Sequence, residues 1–408
     1  MTYVAERLRA PAHLAFTGEP LAEGESHRIS LPVKGQGTVG FAIDPVAPFS
    51  VAFLRNVEGE RGFRWDVDEA GARLSEYRDG EWRPCTSAGA EAGIDAEKAC
   101  PYWFSIDCHN RALVYGKGEM RLGTAVASWP LPDKPAKGED PYAWVATAGE
   151  VEVRAGLRGD ADIWRDPVVV EPPMYVIGHD EIAMDDIAAG EVTVAANLTP
   201  RCQQLYAAVA GARFQLDTPD FRHFSDAIRE SILDPAGWCF QTLKKKAGEF
   251  GKDEPNETYL RITLGRNQGE SPGVPYVMEI WPSGHYSPIH DHGGADAVIK
   301  VLHGEIKVNL YPMLSHHHEQ PFAVARFLTG DVTWISARLN QVHKLENDHA
   351  EPCVTIQCYM YDATDVTHWP YFDYLEDPDI GLFDPGSDAT FDWFKAKMKE
   401  EWEKRSRR

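Results

Sequence analysis

The chain has 408 residues, more than one hydrophobic core usually serves, so two domains are expected. Its formal net charge of −22 argues against a nucleic-acid partner, because phosphate groups require a basic protein surface. No apolar run approaches the ~18 residues of a membrane-spanning helix, so no membrane association is expected.

Seven cysteines are scattered along the chain without a Cys-x-x-Cys pair. An odd number of scattered cysteines is typical of free thiols in a reducing compartment. The first residues also lack the basic-then-apolar order of a secretory signal. These features predict a cytoplasmic protein.

Residues 1–200 are predicted to form a β-rich N-terminal domain that resembles a β-sandwich. Runs of β-branched and aromatic residues alternate there with turn residues, at 50–54, 62–66, 102–107 and 112–115. No His, Cys, Asp or Glu cluster in this half has the spacing of a metal or nucleophile site. A structural or dimerising role is therefore favoured, with carbohydrate or other ligand binding as the alternative.

The second domain is predicted to cover residues 201–408, with helices flanking a set of strands. Helical periodicity occurs between 201 and 250, and strand patterns dominate from residue 276 onward. Short strands with glycine at the corners are typical of a small antiparallel barrel or jelly roll. The last segment, 391–408, is predicted to be a charged helix that packs against its own domain or a second subunit of a homo-oligomer.

A candidate metal site lies between Gly284 and Gly304. His290 and His292 are two residues apart, so on an extended strand both imidazoles leave the same face. A third histidine, His343, follows about fifty residues later and would reach the same interior from a neighbouring strand. These three residues are the predicted metal ligands.

The pattern resembles the first motif of the cupin superfamily, on which Gly284, His290, His292 and Gly304 fall. Ala297 takes the place of the usual glutamate, a position where some relatives carry a cysteine crosslinked to a tyrosine. Within the cupins, three blocks resemble cysteine dioxygenase and related thiol dioxygenases, at 259–261, 287–292 and 343–347. The resemblance covers roughly 221–365 and implies a cupin fold, a double-stranded β-helix or jelly-roll barrel, in a mainly β protein.

The resemblance implies an iron(II)-dependent enzyme that adds both atoms of dioxygen to the sulfur of a small thiol carboxylate such as cysteine, giving a sulfinate. Three neutral imidazoles would leave a divalent ion its full charge, which favours a deprotonated thiol as a ligand. Iron is expected because zinc lacks redox chemistry, with nickel, zinc or manganese as alternative metals.

Further site residues follow from the same alignment. Arg261 takes the place of the carboxylate-binding arginine, and Tyr259 shares its strand face. Tyr359 takes the place of a catalytic tyrosine, whereas sliding the alignment along the strand would select Tyr361. Gln357 replaces a histidine and would contact substrate, although an amide cannot titrate in the physiological range.

Two other functions are compatible with these residues. The replacement by Gln357 and the large N-terminal half fit a non-catalytic metal-binding cupin that acts as a ligand-binding or regulatory protein. Another cupin enzyme, such as an isomerase or a dioxygenase that cleaves carbon–carbon bonds, is the third reading. The metal bound by purified protein and its oxygen uptake with thiols would separate the three.

Overall fold

The structure, a computed structural model, describes residues 14–17, 26–56, 61–95, 100–168, 173–250, 254–264, 275–336, 342–360, 372–376, 379–383 and 386–407. The chain divides into two compact units, Glu6–Glu171 and Pro172–Arg408. This division lies N-terminal to the predicted boundary near residue 200, because a short strand at 175–177 pairs with the sheet of the second unit. Within the described ranges, no helix has the length and apolarity needed to cross a membrane.

The N-terminal unit consists of antiparallel strands. They are β1 (Leu14–Thr17), β2 (His27–Ser30), β3 (Gln36–Leu54), β4 (Gly62–Asp68), β5 (Gly71–Arg78), β6 (Glu81–Ala88), β7 (Cys100–Asp107), β8 (Ala112–Lys117), β9 (Ala125–Pro130) and β10 (Glu150–Trp164).

Two long strands, β3 and β10, organise this unit. Strand β3 pairs with β7 through residues 36–43 and with β4 through residues 49–54, so it joins two halves of one sheet. Strand β10 follows β3 and has a register irregularity between Arg154 and Leu157. Trp65 on β4 contacts Tyr115 on β8, with 5.7 Å between ring centroids, so the halves face each other around an aromatic core. The predicted β-sandwich-like fold is confirmed.

The C-terminal unit combines helices and strands. The helices are α1 (Met184–Ala189), α2 (Pro200–Val209), α3 (Phe224–Leu233), α4 (Trp238–Lys246) and α5 (Phe391–Ser406). The strands are β11 (Tyr175–Ile177), β12 (Thr193–Val194), β13 (Leu260–Leu264), β14 (Tyr276–Trp281), β15 (Asp296–His303), β16 (Glu305–Leu310), β17 (Ala323–Leu328), β18 (Val332–Ile335), β19 (His343–Glu346), β20 (Cys353–Met360), β21 (Phe372–Glu376), β22 (Asp379–Phe383) and β23 (Ala389–Thr390).

Two sheets of this unit enclose one interior. The larger has the order β12-β11-β18-β15-β20-β14-β13-β23, and the smaller has the order β17-β16-β19. The segment around His290 forms backbone bridges to His343 of β19 and to Tyr374 of β21, and so connects the smaller sheet to the β21–β22 hairpin. A buried cluster of residues from both sheets fills the space between them. This arrangement confirms the predicted jelly-roll cupin fold.

The larger sheet is buried on both faces, and its strand alternation positions the site. On β14, Val277, Glu279 and Trp281 point to the interior, while Met278 and Ile280 join a second cluster with residues of α2 to α5. Both faces are therefore apolar, as in strands covered by helices. A charged side chain on the inward row has to find its partner inside the protein.

Candidate metal centre

The three predicted histidine ligands meet at one point of the interior. One ring nitrogen from each of His290, His292 and His343 lies within 4.8 Å of the others. Backbone pairing positions them, because His290 N–H donates to His343 O at 3.0 Å and His343 N–H donates to His290 O at 2.9 Å. The third ring, His292, follows two residues later in the irregular segment between β14 and β15, rather than on the strand that the spacing predicted.

The spacing of the ring nitrogens suits a single divalent ion. The Nε2 atoms of His292 and His343 are 3.3 Å apart. Two donors that each bind one ion at ~2.0–2.1 Å in tetrahedral geometry would be about 3.3–3.4 Å apart. The three ring centroids are separated by 4.6 to 4.9 Å, with the His292 and His343 rings stacked at 26° and the His290 ring inclined to both.

The imidazoles of His290 and His292 are neutral at physiological pH. Burial lowers the pKa of His290 to about 4 and lowers the pKa of His292 well below its usual value, and the nearby Arg261 charge acts in the same direction. The Nδ1 atom of His290 is 3.0 Å from the carbonyl oxygen of Pro288, to which it would donate its proton. That tautomer leaves Nε2 of His290 as a metal donor.

The aromatic ring of Phe372, which the sequence did not predict as a site residue, borders the histidines. The Phe372 ring lies 4.5 Å from the His292 ring and 6.3 Å from the His290 ring, measured between centroids. This apolar side lowers the local polarity around the ligands and strengthens their electrostatic interactions. Phe372 lies outside the three blocks of the resemblance, and no spacing signal marks it in the sequence.

Arg261 lies on β13 and is buried, with 2% of its surface exposed. Its Nη1 atom is 2.6 Å from Oε1 of Glu279, the residue directly opposite on β14. Its Nε and Nη2 atoms are also buried and have no hydrogen-bond partner within the described residues. One edge of the guanidinium is therefore held by Glu279, and the adjacent edge offers two donors suited to a carboxylate.

Glu279 is the centre of a buried hydrogen-bond chain that the sequence analysis also missed. Gln357 Nε2 donates to Glu279 Oε2, and the Tyr359 hydroxyl donates to Gln357 Oε1. Burial raises the pKa of Glu279 to about 7, against the opposing effects of Arg261 and Lys246. One feature of the sequence does mark Glu279: it is the single charged residue in the otherwise uncharged strand 276–281.

Tyr359 lies beside the metal ligands. Its ring is 6.0 Å from the His292 ring at an interplanar angle of 19°. In the ladder between β15 and β20, Tyr359 is the partner of Ala297. The position that carries a cysteine in some relatives is therefore directly opposite this tyrosine. The alternative, Tyr361, lies outside the described residues.

Tyr259 lies beside Arg261 but belongs to an aromatic stack. Its ring stacks on Trp281 at 4.1 Å between centroids, and Lys246 Nζ lies 5.6 Å from its ring centroid. Burial raises the pKa of the Tyr259 phenol, which stays protonated. Its hydroxyl also interacts with the side chain of Arg261, so Tyr259 helps to hold the guanidinium in place.

A small apolar cavity adjoins the centre. It has a volume of about 30 Å³ and is lined by His343, Thr355, Gln357 and aliphatic side chains of both sheets. This is room for a water or a diatomic molecule. Thr355 Oγ1 is buried there without a hydrogen-bond partner among the described residues.

Comparison with known proteins agrees with this geometry. Residues 253–369 match the family model of cysteine dioxygenase type I. The predicted cysteine dioxygenase-like cupin domain is thus confirmed for this part of the chain.

Similar solved structures include other cupins. A cupin superfamily protein of Desulfitobacterium hafniense DCB-2 has 15% identity over 26% of this chain and 81% of that chain, with a TM-score of 0.20. A cupin 2 conserved barrel domain protein of Salinispora arenicola CNS-205 has 15% identity over 27% and 81%, with a TM-score of 0.21. Sheep galectin-11 has 11% identity over 34% and 97%, with a TM-score of 0.27. These likenesses are too distant to bear on activity.

Proposed function

We propose that the C-terminal unit, whose residues 253–369 form a cupin domain of the cysteine dioxygenase type, is an iron(II)-dependent thiol dioxygenase. Its substrate would be a small thiol carboxylate such as cysteine, and its product the sulfinate. The observation that carries this proposal is the convergence of three imidazoles near a buried guanidinium with two donors that have no hydrogen-bond partner among the described residues.

The residues present fit an iron ion. His290, His292 and His343 would hold it through neutral nitrogen donors, which suit iron(II) as well as zinc. Iron, when bound, would supply the redox capacity that zinc lacks and would favour the deprotonated form of a thiol. The protein contributes a water-poor interior with Phe372 on one side.

The substrate would be oriented by the polar groups opposite the histidines. The Nε and Nη2 atoms of Arg261 match a carboxylate in a bidentate contact. The Tyr359 hydroxyl donates to Gln357 Oε1 and Gln357 Nε2 donates to Glu279, so hydrogen bonds hold both side chains in place. Fixing the thiol and the carboxylate together would lower the entropic part of the reaction barrier.

The reaction balances without a further reductant. Two sulfur–oxygen bonds form, the oxygen–oxygen bond breaks, and the thiol proton leaves to solvent. Sulfur loses four electrons and dioxygen gains four. The proposed enzyme would therefore need only the thiol, dioxygen and the metal.

Oxygen uptake by iron-loaded protein tests this proposal. Cysteine, 3-mercaptopropionate, cysteamine and 2-mercaptoethanol form a panel that separates the contributions of carboxylate and amine. We expect uptake with a carboxylate-bearing thiol and one sulfinate per dioxygen, measured by mass spectrometry. His343→Ala should abolish uptake, and His316→Ala, which changes a histidine paired with Glu319 outside the centre, should not. No thiol-dependent uptake from any member of the panel would reject the activity.

A non-catalytic metal-binding role is the second candidate. It is supported by the contact between Arg261 and Glu279, which partly neutralises the charge that a substrate carboxylate would meet. It is also supported by Gln357, because an amide cannot serve as an acid or base. This candidate predicts stoichiometric metal and thiol binding with no consumption of dioxygen.

A cytoplasmic location and a homo-oligomeric state stay predictions of the sequence. All seven cysteines are free thiols, which supports a reducing compartment. Phe394 and Met398 of α5 are buried in the core of their own unit, so this face of the helix is covered within one subunit.

A further inference from the structure

Arg261 lies on a strand near the edge of the larger sheet. Strand β13 pairs with β14 along one side, and within the described residues its other side meets only the two-residue strand β23. The polar backbone groups of a strand edge stay unpaired unless another segment covers them. The position of Arg261 therefore depends on the segment that holds this edge.

Asp388 holds the backbone of Arg261 at this edge. The Arg261 N–H donates to Asp388 Oδ2 at 2.8 Å, and the Asp388 N–H donates to the Arg261 carbonyl oxygen at 2.8 Å. The pairing of β13 with β23 begins only at the next residue, where Ile262 is the partner of Ala389. The Asp388 carboxylate thus extends the hold on the strand to Arg261, and it does so from outside residues 253–369, which match the family model.

Lys246 on α4 is the cation of the same carboxylate. Its Nζ atom lies 3.1 Å from Asp388 Oδ2 and donates to the carbonyl oxygen of Tyr259 at 2.9 Å. The side chains of Lys246 and Asp388 are 12% and 13% exposed, so water screens this pair less than it screens a surface ion pair. One ammonium group therefore attaches both Tyr259 and Asp388 to α4.

Helix α5 anchors the segment that carries Asp388. It begins at Phe391, directly after β23, and its Phe394 and Met398 side chains are completely buried in the core of the unit. The charged last helix, to which the proposed function assigns no role, thereby fixes the place of Asp388 beside β13.

We infer that Asp388, paired with Lys246, is a positioning residue that aligns Arg261 for the carboxylate of a thiol ligand. This inference rests on the proposed function. Glu279 fixes the guanidinium end of the arginine, and Asp388 fixes its backbone end. A bidentate contact requires both donors to face the two oxygens at once, so a shift of the backbone would weaken carboxylate binding. Alignment before binding also reduces the entropy lost when the ligand arrives.

Two substitutions of Asp388 and one control separate this role from general packing. Asp388→Ala removes the acceptor of the Arg261 N–H, whereas Asp388→Asn keeps an oxygen that can accept from it. Asp220→Ala is the matched control, because Asp220 Oδ2 lies 2.8 Å from Nζ of Lys395 on α5. That variant also removes a Lys–Asp pair of α5, but Asp220 has no hydrogen bond to β13 in the described part of the chain.

Anaerobic titration of cobalt(II)-loaded full-length protein measures thiol binding without turnover. The ligands are 3-mercaptopropionate and 3-mercapto-1-propanol, which differ in the carboxylate, and the thiolate-to-cobalt absorption band is followed. The measured quantity is the Kd of the alcohol divided by the Kd of the carboxylate. We expect Asp388→Ala to lower this ratio about ten-fold, the equivalent of one hydrogen bond. Asp388→Asn should retain most of the ratio, and Asp220→Ala should leave it at the wild-type value.

Amide hydrogen exchange provides a second readout, independent of any ligand. Exchange within residues 259–264, measured by mass spectrometry, should be faster in Asp388→Ala because the Arg261 N–H loses its acceptor. It should be unchanged in Asp220→Ala.

A further variant keeps the test decisive if Asp388→Ala does not fold. Lys246→Met removes the cation shared by Asp388 and the Tyr259 carbonyl oxygen, and a fall in the ratio is again expected. A wild-type ratio in the folded variants, including equal weakening of both thiols, would overturn this inference and leave the proposed function intact. A ratio near one in the wild-type protein would also overturn it, because Arg261 would then not bind the carboxylate. No band with any thiol in the wild-type protein would overturn both.

Discussion

Metal binding at the three-histidine centre should release far fewer protons than three ordinary histidine ligands, which normally compete with protons for a metal. An imidazole with a pKa of ~6.5 is about 76% protonated at pH 6.0, so three such ligands would release about 2.3 protons. Burial lowers the pKa of His290 to about 4, which leaves that ring about 99% neutral at the same pH. The pKa of His292 is also well below its usual value. Even if His343 titrates normally, we expect release of no more than about 0.8 proton.

Isothermal titration calorimetry of the metal-free protein with manganese(II) measures this number. The titration is repeated at pH 6.0 in buffers of different ionisation enthalpy, and the slope of observed enthalpy against buffer enthalpy gives the protons released. The release should stay below about 1 proton down to about pH 5 and rise further only as the pH approaches 4, because the His290 ring is protonated only there.

Glu279 supplies the control for this measurement. Its pKa of about 7 means that it holds a proton at pH 6.0, and a nearby cation could expel that proton. The variant Glu279→Gln removes this contribution. A slope above about 1.5 protons in both proteins would refute the conclusion that the ligands are desolvated and neutral before the metal arrives.

Three further predictions concern the packing around the centre. Arg261→Met should lower the unfolding free energy by about 3–5 kcal/mol, because it leaves the buried carboxylate of Glu279 without its cation. The double variant Arg261→Met/Glu279→Met should recover most of this stability, as measured by scanning calorimetry. Gly304→Ala should lower the melting temperature more than Gly284→Ala does. Both glycines have φ near 77°, but only at position 304 would the new methyl group lie 2.6 Å from a backbone oxygen. An equal effect would show that backbone strain alone matters. Ala297→Cys in iron-loaded, oxygen-exposed protein should form a thioether with the tyrosine opposite, seen as a loss of about 2 Da, and Ala297→Ser should not.

The sequence by itself is sufficient to identify the three histidines that the structure brings together as candidate metal ligands. His290 and His292 are two residues apart between glycines, and this local spacing has a direct geometric meaning on an extended chain. His343 belongs to a separate block, but its place in a strand pattern already indicates an inward direction. The alternation of apolar residues similarly predicts the jelly roll, because burial of one face imposes a period of two.

Only the tertiary structure decides which groups surround those ligands. Arg261 and Glu279 are 18 residues apart and become neighbours through the register of β13 and β14. Gln357 reaches Glu279 from a strand 78 residues further along the chain. A shift of one residue in either ladder would turn these side chains to the opposite face, and no local pattern encodes that register. The ion pair and the directed hydrogen-bond chain therefore depend on strand pairing, whereas the histidine motif is local.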